Sequence, residues 1–170
     1  MRFRIISLAA LAIGILASGE DIVAAITTID ESTVSLGDVV ASWPGNLLGA
    51  LPIVKASTSL LFDIKEGTKT AEDALPLDEA GTFAVAQATL ALASNVNTTL
   101  ETVIGAKPKF TKLLLSPIIL ANLKIEQHAT DSFSEAVIEK VPEEFKEVAE
   151  TLVEGIQQSF DKAIEAYALF

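Results

Sequence analysis

The sequence predicts an all-α fold, a bundle of about five amphipathic helices. Three observations carry that expectation. Apolar residues recur in steps of three and four along five stretches, which is the period of one helix face. No comparable stretch alternates with period two, as a half-buried strand would. The chain has 170 residues, 50% hydrophobic but only 6% aromatic, and no cysteine, so an aliphatic core must hold it without disulfides.

The chain opens with a leader pattern. Arg2 and Arg4 precede an uncharged apolar run over residues 5–17, and Ala17-Ser18-Gly19 supplies small residues at the positions a signal peptidase reads. Residues 1–19 are therefore expected to be a secretory signal peptide cleaved after Gly19, because 13 apolar residues are too few to span a bilayer of about 30 Å. Residues 20–170 then form a single helical domain with ten lysines, 23 acids and a net charge of −13.

The first helix is expected over residues 21–43, on the stripe Ile22, Ile26, Ile29, Leu36, Val40 and Trp43, with Ser32 and Thr33 in the same stripe. Pro44-Gly45 ends it. The second, over residues 47–66, aligns Leu47, Leu51, Val54, Thr58 and Leu61; Pro52 kinks it or marks its true start, and Gly67 is expected to close it. The third, over residues 78–104, uses Phe83, Ala86, Leu90, Ala93, Leu100 and Val103 and ends at Gly105. A short turn or helix follows over residues 107–115. Ser116-Pro117 opens the fourth as N-cap and first-turn pair, and its stripe is Ile118, Ile125, Phe133 and Val137. Val141-Pro142 starts the fifth, with Glu143 and Glu144 complementing the dipole and Phe145, Val148, Leu152, Ile156, Phe160, Ala163 and Tyr167 facing the core.

The composition excludes several classes of function. A net charge of −11 argues against nucleic acid as a partner. One histidine and no cysteine leave little general-base or nucleophilic chemistry, so no enzyme activity and no cofactor are expected. His128 lies near Glu126 and Asp131, but one histidine with one carboxylate on its helix face closes no metal site, and a surface histidine is expected. No later stretch reads as a transmembrane helix, and residues 163–170 lack the long apolar tail of a lipid-anchor signal. Asn97-Thr98-Thr99 is an N-glycosylation sequon, usable if Asn97 faces solvent.

More informative are polar side chains within apolar stripes. Ser32, Thr33, Thr58 and Gln87 need hydrogen-bond partners if buried. Ser and Thr can bond back to a carbonyl one turn earlier; otherwise such groups orient a ligand in a cavity. On the second reading the candidate ligand-lining residues are Ile29, Ser32, Leu36, Leu51, Val54, Thr58, Leu61, Phe83, Gln87 and Leu90. The second and third helices are expected side by side, with Thr58 and Gln87 meeting one head group.

A set of segments carries a resemblance. They are Ala50-Leu51-Pro52-Ile53 with Ala56 and Leu60-Leu61; Ile64 with Gly67-Thr68; Pro76-Leu77; Lys107 and Phe110; Leu115 with Ile118-Ile119-Leu120 and Leu123; and Phe133, Ala136-Val137, Lys140-Val141-Pro142, Phe160, Ala163-Ile164 and Tyr167. In this order and spacing the chain resembles the fungal family of hydrophobic surface-binding proteins and cell-wall galactomannoproteins. The resemblance implies a secreted, extracellular or cell-wall protein with a five-helix domain. It implies either of two functions: enclosing fatty acids between the helices, or adsorbing to hydrophobic surfaces and recruiting a secreted hydrolase. Cell-wall glycans are further partners that it implies.

Overall fold

A computed structural model describes residues 19–168. The leader expected over residues 1–19 lies outside the described residues except for Gly19. Five long helices and one short one make up the fold: α1 (Gly19–Ser42), α2 (Leu51–Asp73), α3 (Glu79–Gly105), α4 (Lys107–Lys112), α5 (Ser116–Lys140) and α6 (Lys146–Ala168). Single 3₁₀ turns, Leu48–Ala50 and Glu143–Phe145, lead into α2 and α6.

Sequence chemistry sets most of the boundaries. Pro52 and Pro117 sit in the first turns of α2 and α5, where the missing N–H would have had no intrahelical partner. Asp78 caps α3, its Oδ1 accepting the Gly81 N–H at 2.7 Å. Two expectations are corrected here. Gly67 does not end α2, which continues to Asp73 with Gly67 buried in its middle. A Cβ there would come within 3.0 Å of Ile29 Cδ1 and 3.2 Å of Phe133 Cε2, so the glycine is a close-approach point for α1 and α5 rather than a cap. Ser116 does not cap α5 with its side chain; its Oγ pairs with Thr111 Oγ1 at 2.9 Å, and Leu115 holds the cap position.

The long helices form a ring. Going round it, α1 packs on α2, α2 on α5, α5 on α6, α6 on α3, and α3 back on α1. The expected neighbours α2 and α3 are therefore separated by α1. Polar clips fix the ring: Asn95 donates to Asp30 at 2.8 Å, Thr99 to the Thr33 carbonyl at 3.0 Å, and Tyr167 to the Val103 carbonyl at 2.7 Å. At one end Phe110 of α4 stacks between Trp43, 4.4 Å between ring centroids, and Tyr167, at 6.3 Å. A ring of five has a wider axis than a four-helix bundle, and the aliphatic side chains that line it do not fill it.

Candidate functional site: a string of axial cavities

Three apolar cavities lie end to end inside the ring. The first, about 110 Å³, is bounded by α3, α5 and α6 through Val85, Leu92, Phe133, Val137 and Ile156. Phe83 and Phe145, 6.0 Å apart, stand at its edge. The central one, about 30 Å³, touches all five long helices through Leu36, Leu60, Val96, Thr130 and Phe160. The third, about 210 Å³, lies between α1, α2, the end of α3, α4 and α5 and is walled by Val40, Ile53, Val103, Phe110 and Leu123. Leu92, Thr130 and Phe133 are common to the first and central cavities, and Leu36 and Glu126 to the central and third. The mouth of the third cavity is aliphatic: Leu47, Leu51, Val54 and Ile118 line it and are all more than half exposed.

The residues named from sequence divide between this axis and the outer surface. Ile29 and Leu36 line the central cavity, Leu51 and Val54 the third, and Phe83 the first. Ser32, Thr58, Leu61, Gln87 and Leu90 border none of the three. Ser32 bonds the Asp63 carboxylate, tying α1 to α2. Thr33 and Thr58 bond back to the carbonyls of Ile29 and Val54, at 2.7 and 2.8 Å, so the local explanation of their place in the stripes holds. Gln87 and Leu90 are exposed on α3, and Leu61 lines an outer groove with Lys65, Lys124 and His128. With α1 between α2 and α3, Thr58 and Gln87 are not positioned to share a head group. Asn97 is exposed, as glycosylation requires.

The charged-type side chain on the axis is one that the apolar stripes do not include. Glu126 of α5 is 5% exposed and borders both the central and third cavities. Its Oε1 accepts the Ser57 hydroxyl of α2 at 2.6 Å, and among the described residues no donor meets Oε2. Burial pushes the carboxyl up to about 7, against the opposing pull of the Ser57 hydrogen bond. The folded state thus keeps a proton that the unfolded chain sheds near 4.5, so stability falls as the pH rises from about 4.5 to about 7. Among the described residues no cluster of His, Cys, Asp or Glu could hold a metal ion, and no helix is long and apolar enough to cross a membrane.

This architecture has known relatives. The chain is 30% identical over 145 residues to cell wall mannoprotein 1 of Aspergillus fumigatus, a match covering 85% of this chain and 50% of that protein. It is 26% identical over 142 residues to cell wall mannoprotein 1 of Aspergillus flavus, covering 84% and 51%. The chain thus spans about half the length of these relatives. Among solved structures, AFMP4P in complex with palmitic acid superposes with a TM-score of 0.85 at 24% identity, over 88% of this chain and 99% of that one. Ligand binding domain 1 of the Penicillium marneffei MP1 protein, complexed with arachidonic acids, gives 0.81 at 19% identity over 85% and 94%. The family model for hydrophobic surface binding protein A matches residues 19–139. By fold and by sequence the chain belongs to the hydrophobic surface binding protein A family, alongside the cell wall mannoproteins of Aspergillus.

Proposed function

We propose that this chain is a secreted, extracellular or cell-wall lipid-binding domain, without enzyme activity, that holds a long-chain fatty acid inside its helix ring. The string of apolar cavities carries the reading: an axis lined mostly by aliphatic side chains suits a hydrocarbon chain. The complexes of two fold relatives with palmitic and arachidonic acid support it, as does the name of the mannoprotein relatives for the cell-wall location.

The hydrophobic effect supplies a sufficient driving force. Burying about 14 methylenes at about 0.8 kcal/mol each contributes about 11 kcal/mol. Association costs at least about 4 kcal/mol, which leaves about 7, a dissociation constant near 10 µM before any polar contact adds to it.

A second reading rests on the exposed leucines. Leu47, Leu48, Leu51 and Leu114, the last held in the left-handed region at φ 60°, are exposed apolar side chains that would adsorb to a hydrophobic surface while the polar faces meet a hydrolase or wall glycans. The two readings separate when the protein is purified from culture medium, weighed intact and extracted with organic solvent. The first expects a polypeptide beginning at Glu20 with extractable fatty acid near one per chain. A lipid-free protein that still coats polystyrene supports the second, and a product retaining Met1 contradicts secretion through the leader.

A further inference from the structure

We propose that Glu126 is the head-group anchor of the third cavity, holding a fatty acid through one proton shared between two carboxyl groups. The inference rests on the lipid-binding reading and adds to it the group that meets the ligand's polar end.

The geometry is specific. Among the described residues, Glu126 is the sole ionisable side chain lining the central and third cavities. From α1, α2, α3, α4 and α6 the facing residues are apolar except for Ser57, Thr33 and Thr99; α5 itself adds Asn122 and Thr130. Among the described residues no lysine or histidine lines either space, so a carboxylate entering there meets no cation from them. A second carboxylate beside an ionised Glu126 would be repelled in a setting of low dielectric. Two carboxyl groups at close range instead share a single proton, one donating O–H and the other accepting. Ser57 occupies Oε1 from the protein side and leaves Oε2 to the ligand. The ligand chain then runs from Glu126 past Asn122 toward the mouth, where Ile53, Val54 and Ile118 line its way.

The protonation state follows from the same burial. With the Glu126 carboxyl at about 7, a neutral acid faces an ionised fatty acid over the mildly acidic range. Above that range one proton must be taken up for every ligand bound, so the affinity for a fatty acid falls about tenfold per pH unit. A fatty alcohol donates its hydroxyl to the ionised Glu126 and needs no added proton. The site takes acids at low pH and tolerates alcohols throughout.

The test titrates purified protein with palmitic acid and with hexadecanol between pH 5.5 and 8.5, in the wild-type chain and in Glu126→Gln. Wild type should bind palmitate about 30-fold more weakly at pH 8.5 than at pH 6, while its affinity for hexadecanol changes less than about threefold. In Glu126→Gln, whose amide stays neutral and donates N–H, palmitate binding should be flat with pH and at least tenfold tighter than wild type at pH 8.5. The two-ligand comparison in wild type stands even if the variant misfolds. Equal pH profiles for acid and alcohol in wild type overturn the anchor and leave the cavity reading intact. Absence of binding by either ligand at every pH overturns the lipid-binding reading, and the anchor with it.

Discussion

Phe110→Ala is expected to lower the unfolding free energy by about 3–5 kcal/mol, the range for deleting a buried ring. For a domain of this size that corresponds to a fall in Tm of about 6–20 °C. Phe110 is 1% exposed and packs against the rings of both Trp43 and Tyr167, so its removal strips an aromatic contact from each where the end of α1, α4 and α6 meet. It also walls the third cavity, so the surrounding chain cannot collapse into the vacated space without narrowing the axis. Thermal unfolding followed by circular dichroism would measure the loss. A change below about 1 kcal/mol would mean that α4 is not part of the cooperative core.

Ile53→Trp carries the largest expected effect on binding. Ile53 is 6% exposed and forms the α2 wall of the third cavity, which has about 210 Å³ to receive the added ring. The indole takes up part of that volume and obstructs it, so the fold should survive with a penalty within the about 1–3 kcal/mol usual for overpacking. Affinity for a fluorescent fatty acid should fall about 10- to 100-fold because the ligand loses its place, a change of about 1.4–2.8 kcal/mol. Gln87→Leu and Thr58→Ala, on the outer surface, should change it less than twofold. Unchanged affinity in Ile53→Trp, with helicity intact, would place the ligand outside this cavity.

The architecture was legible because five stretches carry helical periodicity and Pro44, Pro52, Pro76, Pro117 and Pro142 break them where the chain turns. The facing of α1 and the second half of α6 was equally plain, since Ile22, Ile26, Ile29, Leu36 and Val40, and Ile156, Phe160, Ala163 and Tyr167, are the residues buried. On α2, and in the first halves of α3 and α5, the expected stripes fell out of register, while Leu100, Val103, Phe133 and Val137 are buried as expected. Phe83 and Leu90 are exposed while Val85, Leu92 and Val96 point inward, because α3 is rich in small and aliphatic residues on every side and its pattern does not fix a rotation. The buried stripe of α5 runs Leu123, Glu126, Thr130, Phe133 and Val137; it contains the expected Phe133 and Val137, whereas Ile118 and Ile125 are more than half exposed. That true stripe keeps steps of three and four and contains a glutamate, which is the signal that marked Glu126 as buried. A charged residue counts against a stripe when apolar residues are sought, so the signal was passed over. The helix order round the ring had no local signature: only packing decides that α1 stands between α2 and α3.

The central claim is that a fatty acid lies inside the ring and not on its surface. Nuclear Overhauser effects between ¹³C-labelled palmitate and methyl-labelled protein at pH 6 test it most directly. The account predicts contacts from the acyl methylenes to the methyls of Leu36, Ile53 and Leu123, which line the third cavity. Contacts confined to the exposed Leu48 and Leu114, with none to those three residues, would contradict it.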